Sequence, residues 1–110
     1  MAAELNDQEP RIFNNRGLVL NRLKRHEEAL QDFTRAIEIK PDHALYYEHT
    51  GDTLYYLGRY DAAVEAYNKS IDIDPDVASA HRGRGDAYQA LKNPKAAERD
   101  YQRATQLEKK

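Results

Sequence analysis

Glycine recurs in this chain at Gly17, Gly51 and Gly85, each 34 residues from the next, and that interval constrains the fold more than any other feature. Other residues keep the same step: Ala29, Ala63 and Ala97; the aromatics Phe33, Tyr67 and Tyr101; the small residues Ala36, Ser70 and Ala104. Leucine marks mid-unit at Leu23, Leu57 and Leu91, and Pro41 and Pro75 close two of the three copies. Self-similarity with a period of about 20–50 residues marks stacked supersecondary units, none of which can bury its apolar face alone.

Within each unit the spacing predicts two helices. A glycine inside a helix costs about 1 kcal/mol relative to alanine, so three in register need a packing reason. The expectation is that Gly17 faces Ala29, Gly51 faces Ala63 and Gly85 faces Ala97, letting paired helix axes approach closely with the aromatics beside the contact. Helices are predicted at 10–23, 27–40, 44–57, 61–74, 78–91 and 95–108. Proline ends a helix and disfavours the α conformation in the residue before it, so Asp42 and Asp76 are expected to cap the next helices. Gly58 suits a left-handed C′ position, and Asn93-Pro94 reads as an N-cap followed by a first-turn proline.

The pattern resembles the tetratricopeptide repeat. The first copy matches at Phe13, Gly17, Ala29, Phe33, Ala36 and Pro41, and the second at Tyr47, Gly51, Ala63, Tyr67 and Pro75 with Ser70 in the small slot. The third matches at Gly85, Tyr88, Ala97, Tyr101 and Ala104. The resemblance implies an all-α fold, a right-handed α-solenoid of antiparallel helix-turn-helix repeats with about six helices. A lead-in at 1–9 is followed by repeats at 10–43, 44–77 and 78–110. Arg16, Thr50 and Arg84 stand where the pattern has leucine, and His81 stands where it has an aromatic; these departures are expected to loosen local packing. Leu30, Ile37 and Ile39, then Val64, Ile71 and Ile73, are offered to the following unit, whereas the third copy has Glu98, Thr105 and Leu107. That polar change reads as a built-in terminal face, or as the edge of an excised or engineered fragment.

The first helices of stacked units line a concave groove, and the resemblance places ligand contacts there. Carried across, the candidates are Asn14, Leu18 and Asn21 in the first copy, Glu48, His49, Asp52, Tyr55 and Tyr56 in the second, and Arg82, Asp86 and Gln89 in the third. Amides can both donate to and accept from an extended peptide, and tyrosines suit a contact centre. Chaperone-binding members clamp a C-terminal carboxylate with lysine, asparagine and arginine at positions held here by Asn14, Leu18, His49, Ser79 and Gly83. None fits, so such a ligand is disfavoured. Residues 10–43 carry seven basic and five acidic side chains, residues 44–77 two and seven, and residues 78–110 eight and four. An acidic middle between basic flanks predicts a protein or peptide partner with a basic or polar segment.

Other functions find little support. A net charge of −2 and a pI near 6.1 argue against nucleic acid and membrane surfaces. No apolar run is long enough to span a membrane, and the first residues lack a secretory pattern, so a cytoplasmic setting is expected. Cysteine is absent, and His26, His43, His49 and His81 never stand at a helix-borne metal spacing. Gly83-Arg84-Gly85 lies within a predicted helix, not in a phosphate-binding turn. No catalytic residues, metal or cofactor are therefore expected. An adaptor binding a peptide or helix is the leading reading. The alternative is a self-associating unit, its acidic residues 1–9 meeting the basic third repeat head to tail.

Overall fold

The computed structural model describes residues 9–109, and every regular element among them is an α-helix. The six are α1 (Glu9–Arg22), α2 (His26–Ile39), α3 (Ala44–Tyr56), α4 (Tyr60–Ile73), α5 (Ala78–Ala90) and α6 (Pro94–Glu108). Sequential helices pair into three antiparallel hairpins, and each hairpin's second helix packs on the next hairpin's first. The first helices α1, α3 and α5 lie side by side, α3 touching both others. The stack is an α-solenoid measuring 50 × 30 × 19 Å.

The three hairpin turns are one motif. Arg25, Arg59 and Asn93 donate their backbone N–H to the carbonyls of Leu20, Leu54 and Tyr88, at 2.8–2.9 Å. Lys24, Gly58 and Lys92 donate to Asn21, Tyr55 and Gln89, at 2.9–3.0 Å. This double bond is the Schellman arrangement, which needs a left-handed residue at C′. Gly58 has φ +78°, as expected, but Lys24 and Lys92 adopt φ +63° in the same slot.

The start of α6 follows expectation: the Asn93 side chain accepts from the Ala96 N–H at 3.4 Å, with Pro94 in the first turn. Asp42 and Asp76, by contrast, cap nothing. The flanking residues are His43 and Val77, both extended and without a side-chain capping bond. Helices α3 and α5 begin too late for either aspartate, and the Asp76 N–H instead donates to the Asp74 side chain at 3.1 Å.

The repeated glycines face rings more closely than they face alanines. A Cβ on Gly17, Gly51 or Gly85 would lie 2.7–2.8 Å from the ring of Phe33, Tyr67 or Tyr101. The aromatic lies against the bare backbone, and Phe33 and Tyr67 are fully buried. Burying such a side chain is worth about 1.5–3 kcal/mol, which outweighs the roughly 1 kcal/mol helical penalty of glycine.

The arginines that depart from the repeat pattern tie the two helices of a hairpin together, and the other departures find polar partners of their own. Arg16 donates bidentately to Asp32, both bonds at 2.7 Å. Arg84 does the same to Asp100 at 2.8–2.9 Å, and also reaches the Asn68 side chain at 2.8 Å. Thr50 turns its hydroxyl back to the Tyr46 carbonyl at 2.9 Å. His81 places Nε2 2.8 Å from the Pro75 carbonyl, the role that the Tyr47 hydroxyl fills at Pro41, at 2.9 Å.

Each stacking contact uses the same registers. Tyr46 and Thr53 of α3, and Ala80 and Ala87 of α5, are buried against the preceding hairpin. Their counterparts on α1, Ile12 and Val19, are 57% and 47% exposed. On the opposite helices Leu30, Ile37, Val64 and Ile71 are partly covered, whereas Glu98 and Thr105 of α6 are exposed. Ile73 departs from its expected place in this contact: at the last turn of α4 it is exposed.

Candidate functional site

Helices α1, α3 and α5 present their first-turn to last-turn faces along one side of the stack. The two asparagines expected to meet a ligand are used within the protein. Asn14 is buried and its side-chain oxygen lies 2.8 Å from His49 Nδ1. Because an amide oxygen only accepts, the Nδ1 proton is fixed on His49. Asn21 donates to the Thr53 hydroxyl at 2.8 Å and accepts from His26 Nδ1 at 2.9 Å. The Thr53 hydroxyl in turn donates to the His49 carbonyl at 2.8 Å. These bonds stitch α1 to α3. His49 also tilts against Phe33, ring centres 5.4 Å apart. Burial, followed by the nearby His43, holds its imidazolium down to a pKa of about 4. Asn14, Asn21 and His49 thus position the inner face as well as line it. Leu18, one turn beyond Asn14, is half-buried.

The second repeat supplies the acidic middle. Asp52 accepts from the Tyr67 hydroxyl, and Asp86, one repeat on, accepts from the Tyr101 hydroxyl at 2.6 Å. Burial raises the Asp52 carboxyl to about 6; the Tyr67 bond opposes this, while Glu48 and Asp86 add repulsion. Asp52 therefore feels one carboxylate on its own helix α3 and another on α5. Burial also drives the Tyr67 hydroxyl far above its ordinary range, and the acidic neighbours push it further. Tyr101 is pushed up to about 12, first by burial and then by its bond to Asp86. Glu48 is only 6% exposed, yet among the described residues it makes no hydrogen bond or ion pair.

Gly83 makes room for this arrangement. A Cβ there would stand 2.6 Å from the Tyr67 ring and 2.7 Å from its hydroxyl. The remaining candidates flank the acidic centre. Tyr55 is half-buried and meets Tyr60 edge-on at 5.4 Å. Tyr56 is 60% exposed and stacks on His26, ring centres 5.1 Å apart. Arg82 is paired with Glu108 at the end of α6, and Gln89 is exposed.

Sequence reasoning missed Tyr67, Thr53 and Tyr101 as parts of this face, and placed Gly83 on it only as a clamp position without the clamp residue. The signal was present: where the first copy has Phe33 and Leu18, the others have Tyr67 with Asp52 and Tyr101 with Asp86. Each added hydroxyl comes with an added carboxylate at the position it reaches. Among the described residues, no group of three or more histidines, aspartates or glutamates is arranged to hold a metal, and no helix is long and apolar enough to cross a membrane.

Comparison with known proteins agrees with this architecture. Family models described as "Tetratricopeptide repeat" match residues 10–43 and 78–110, and one described as "TPR repeat" matches residues 51–92. No curated protein is matched in sequence. Among solved structures, the Arabidopsis OM64 TPR domain superposes with a TM-score of 0.92 at 25% identity, covering 94% of this chain and 85% of that one. The first TPR of Spaghetti (RPAP3), bound to the HSP90 peptide SRMEEVD, gives 0.90 at 21% identity, covering 92% and 80%. The Sgt2 TPR domain from Aspergillus fumigatus gives 0.89 at 21% identity, covering 92% and 67%. With three family matches along its length and helical hairpins stacked in the same way, the chain belongs to the tetratricopeptide repeat family.

Proposed function

We propose that this protein is a non-catalytic interaction module that holds a peptide segment or helix of a partner on the face formed by α1, α3 and α5, acting as an adaptor or scaffold. Peptide binding by a similar fold, as in the Spaghetti domain with its HSP90 peptide, supports the general class. The observation that carries the reading for this chain is the carboxylate centre of Glu48, Asp52 and Asp86, flanked by Tyr55 and the exposed Tyr56. Such a centre repels an acidic C-terminal peptide and favours a basic or polar segment. The same net acidity disfavours nucleic acid and membrane surfaces, and a cytoplasmic setting remains part of the proposal. Arrays of basic, neutral and acidic peptides test it. Basic peptides should bind best, and an Asp52→Ala, Tyr55→Ala double variant should weaken them by about tenfold or more, as for a contact centre. Equal binding of acidic and basic peptides would refute it.

A second reading is self-association. Ile12, Val19 and Leu23 are all exposed on one side of the first hairpin, in the registers that are covered in the other two. An exposed apolar stripe of this kind favours pairing of two chains through their first hairpins. The charge-based expectation concerned residues 1–9, of which 1–8 lie outside the described residues. Light scattering over a concentration series decides: a Val19→Glu variant should abolish any dimer, and a wild type monomeric throughout removes this reading.

A further inference from the structure

The acidic centre continues into a pocket of about 340 Å³ at the proline-turn end of the inner face, where α3 begins and α4 ends. Leu45, Ile73 and Val77 form its apolar wall, and Glu48, Asp42 and Asp74 supply carboxylates. Leu45 and Ile73 are 43% and 41% exposed, unusual for aliphatic side chains that neighbour each other. Glu48 is nine-tenths buried at this place and without a partner among the described residues. Resting on the peptide-binding reading above, we propose that this pocket takes a lysine side chain of the bound partner, its aliphatic stem against Leu45, Ile73 and Val77 and its ammonium at Glu48.

The chemistry fits an ammonium better than other groups. An ammonium carries three donors on a compact centre and can serve separate acceptors, whereas a guanidinium fork is matched by one coplanar carboxylate. Here the acceptors are separate: Glu48 at the buried side, Asp42 and Asp74 at the rim. Lys40 lies 3.8 Å from Asp42 and offsets part of that rim charge, leaving Glu48 untouched. The start of α3 contributes an opposing dipole equivalent to about half a charge, and the end of α4 contributes the favourable opposite one. Three carboxylates outweigh one lysine and one helix start. A wholly apolar occupant of this pocket would leave the Glu48 carboxylate desolvated with no partner.

The test titrates the ¹⁵N-labelled full chain with N-acetyl-lysine N-methylamide, its norleucine counterpart and its arginine counterpart, following backbone amide shifts. The lysine compound should shift Leu45, Glu48, Ile73 and Val77 with millimolar affinity, and the other two should bind at least about fivefold more weakly. Glu48→Gln should reduce lysine to the norleucine level while the spectrum outside the pocket stays that of the folded protein. Ile73→Ser, at an exposed wall position, should weaken lysine and norleucine alike. Absence of shifts, equal shifts by lysine and norleucine or by lysine and arginine, or an undiminished lysine preference in Glu48→Gln would each overturn the proposal. A peptide array in which basic peptides still require Asp52 and Tyr55 would then show that the groove reading stands and only the pocket assignment has failed.

Discussion

Asp52 and His49 are neighbours in sequence whose titrations oppose each other, and this has a measurable consequence. Burial raises Asp52 from 3.8 to about 6, so its proton stabilises the folded chain at low pH. That contribution is complete below the unfolded value and is lost as pH rises through about 6. Burial lowers His49 from 6.5 to about 4, so its contribution is complete above the unfolded value and is lost as pH falls through about 4. At about 1.4 kcal/mol per pH unit, each change corresponds to about 3 kcal/mol, an upper figure because solvent reaches both side chains. The two slopes have opposite signs over nearly the same range, so together they leave the wild type almost flat between pH 4 and 6.5. Asp52→Asn keeps an acceptor for the Tyr67 hydroxyl and removes the buried charge. It should be roughly 2 kcal/mol more stable than wild type at neutral pH and lose that advantage on acidification. His49→Gln should show the reverse slope, gaining stability as pH falls. Urea unfolding followed by circular dichroism at a series of pH values reads both. Parallel profiles for wild type and Asp52→Asn would show that burial does not penalise this carboxylate, and the electrostatic account of the inner face would fail with it.

Lys24→Gly and Lys92→Gly relieve a left-handed backbone at φ +63°; each should raise stability by about 0.5–1 kcal/mol, seen as a higher melting temperature, and Gly58→Lys should lower it. Gly83→Ala drives a Cβ to within 2.6 Å of the Tyr67 ring; a repacking penalty of about 1–3 kcal/mol exceeds the roughly 1 kcal/mol helical gain, so urea denaturation should show a net loss. Arg84→Leu strands the buried Asp100 and should cost about 3 kcal/mol, whereas adding Asp100→Ala should recover most of it in a double-mutant cycle. Replacing Asp52 and Tyr67 by the Leu and Phe of the first copy should raise stability at neutral pH and abolish the preference for basic peptides; retained preference on the peptide array would overturn the role given to Asp52.

The fold was legible because one interval repeats in glycine, alanine and aromatic positions, and every helix end fell within one residue of expectation. All three turns were placed by the sequence, and Gly58 announced its left-handed backbone, but Lys24 and Lys92 in the equivalent slots did not. Two chain-reversing hydrogen bonds hold those lysines in a conformation their own preferences disfavour. The inner face was read less well for a definite reason. Helical periodicity says which side of α1 Asn14 and Asn21 occupy, but not that His49 and Thr53, more than thirty residues away, will reach them. Paired departures between copies would have supplied that. Arg16 with Asp32 and Arg84 with Asp100 recur at one spacing, and the copy with Thr50 has Ala66 opposite. The three copies align on one another, and these two pairs that change together also touch.

The same internal comparison separates what the fold requires from what it merely tolerates. The first copy packs Phe33 on Gly17 with the half-buried Leu18 beside it, and needs neither a hydroxyl nor a carboxylate there. The second copy builds the same contact with Tyr67 and Asp52; burial there raises the Asp52 carboxyl to about 6, against the Tyr67 bond, and the Tyr67 ring excludes any side chain at Gly83. An apolar solution for this position is therefore present in the chain itself, and it carries no buried charge. Stability alone gives no reason to hold Asp52 near Glu48 and Asp86, since their mutual repulsion opposes folding. Local rules broken without a compensating structural gain are expected where a protein meets its ligand. A cationic group entering between these carboxylates would lower the Asp52 pKa and turn that repulsion into attraction, so the costliest charge of the inner face is also the one best placed to bind.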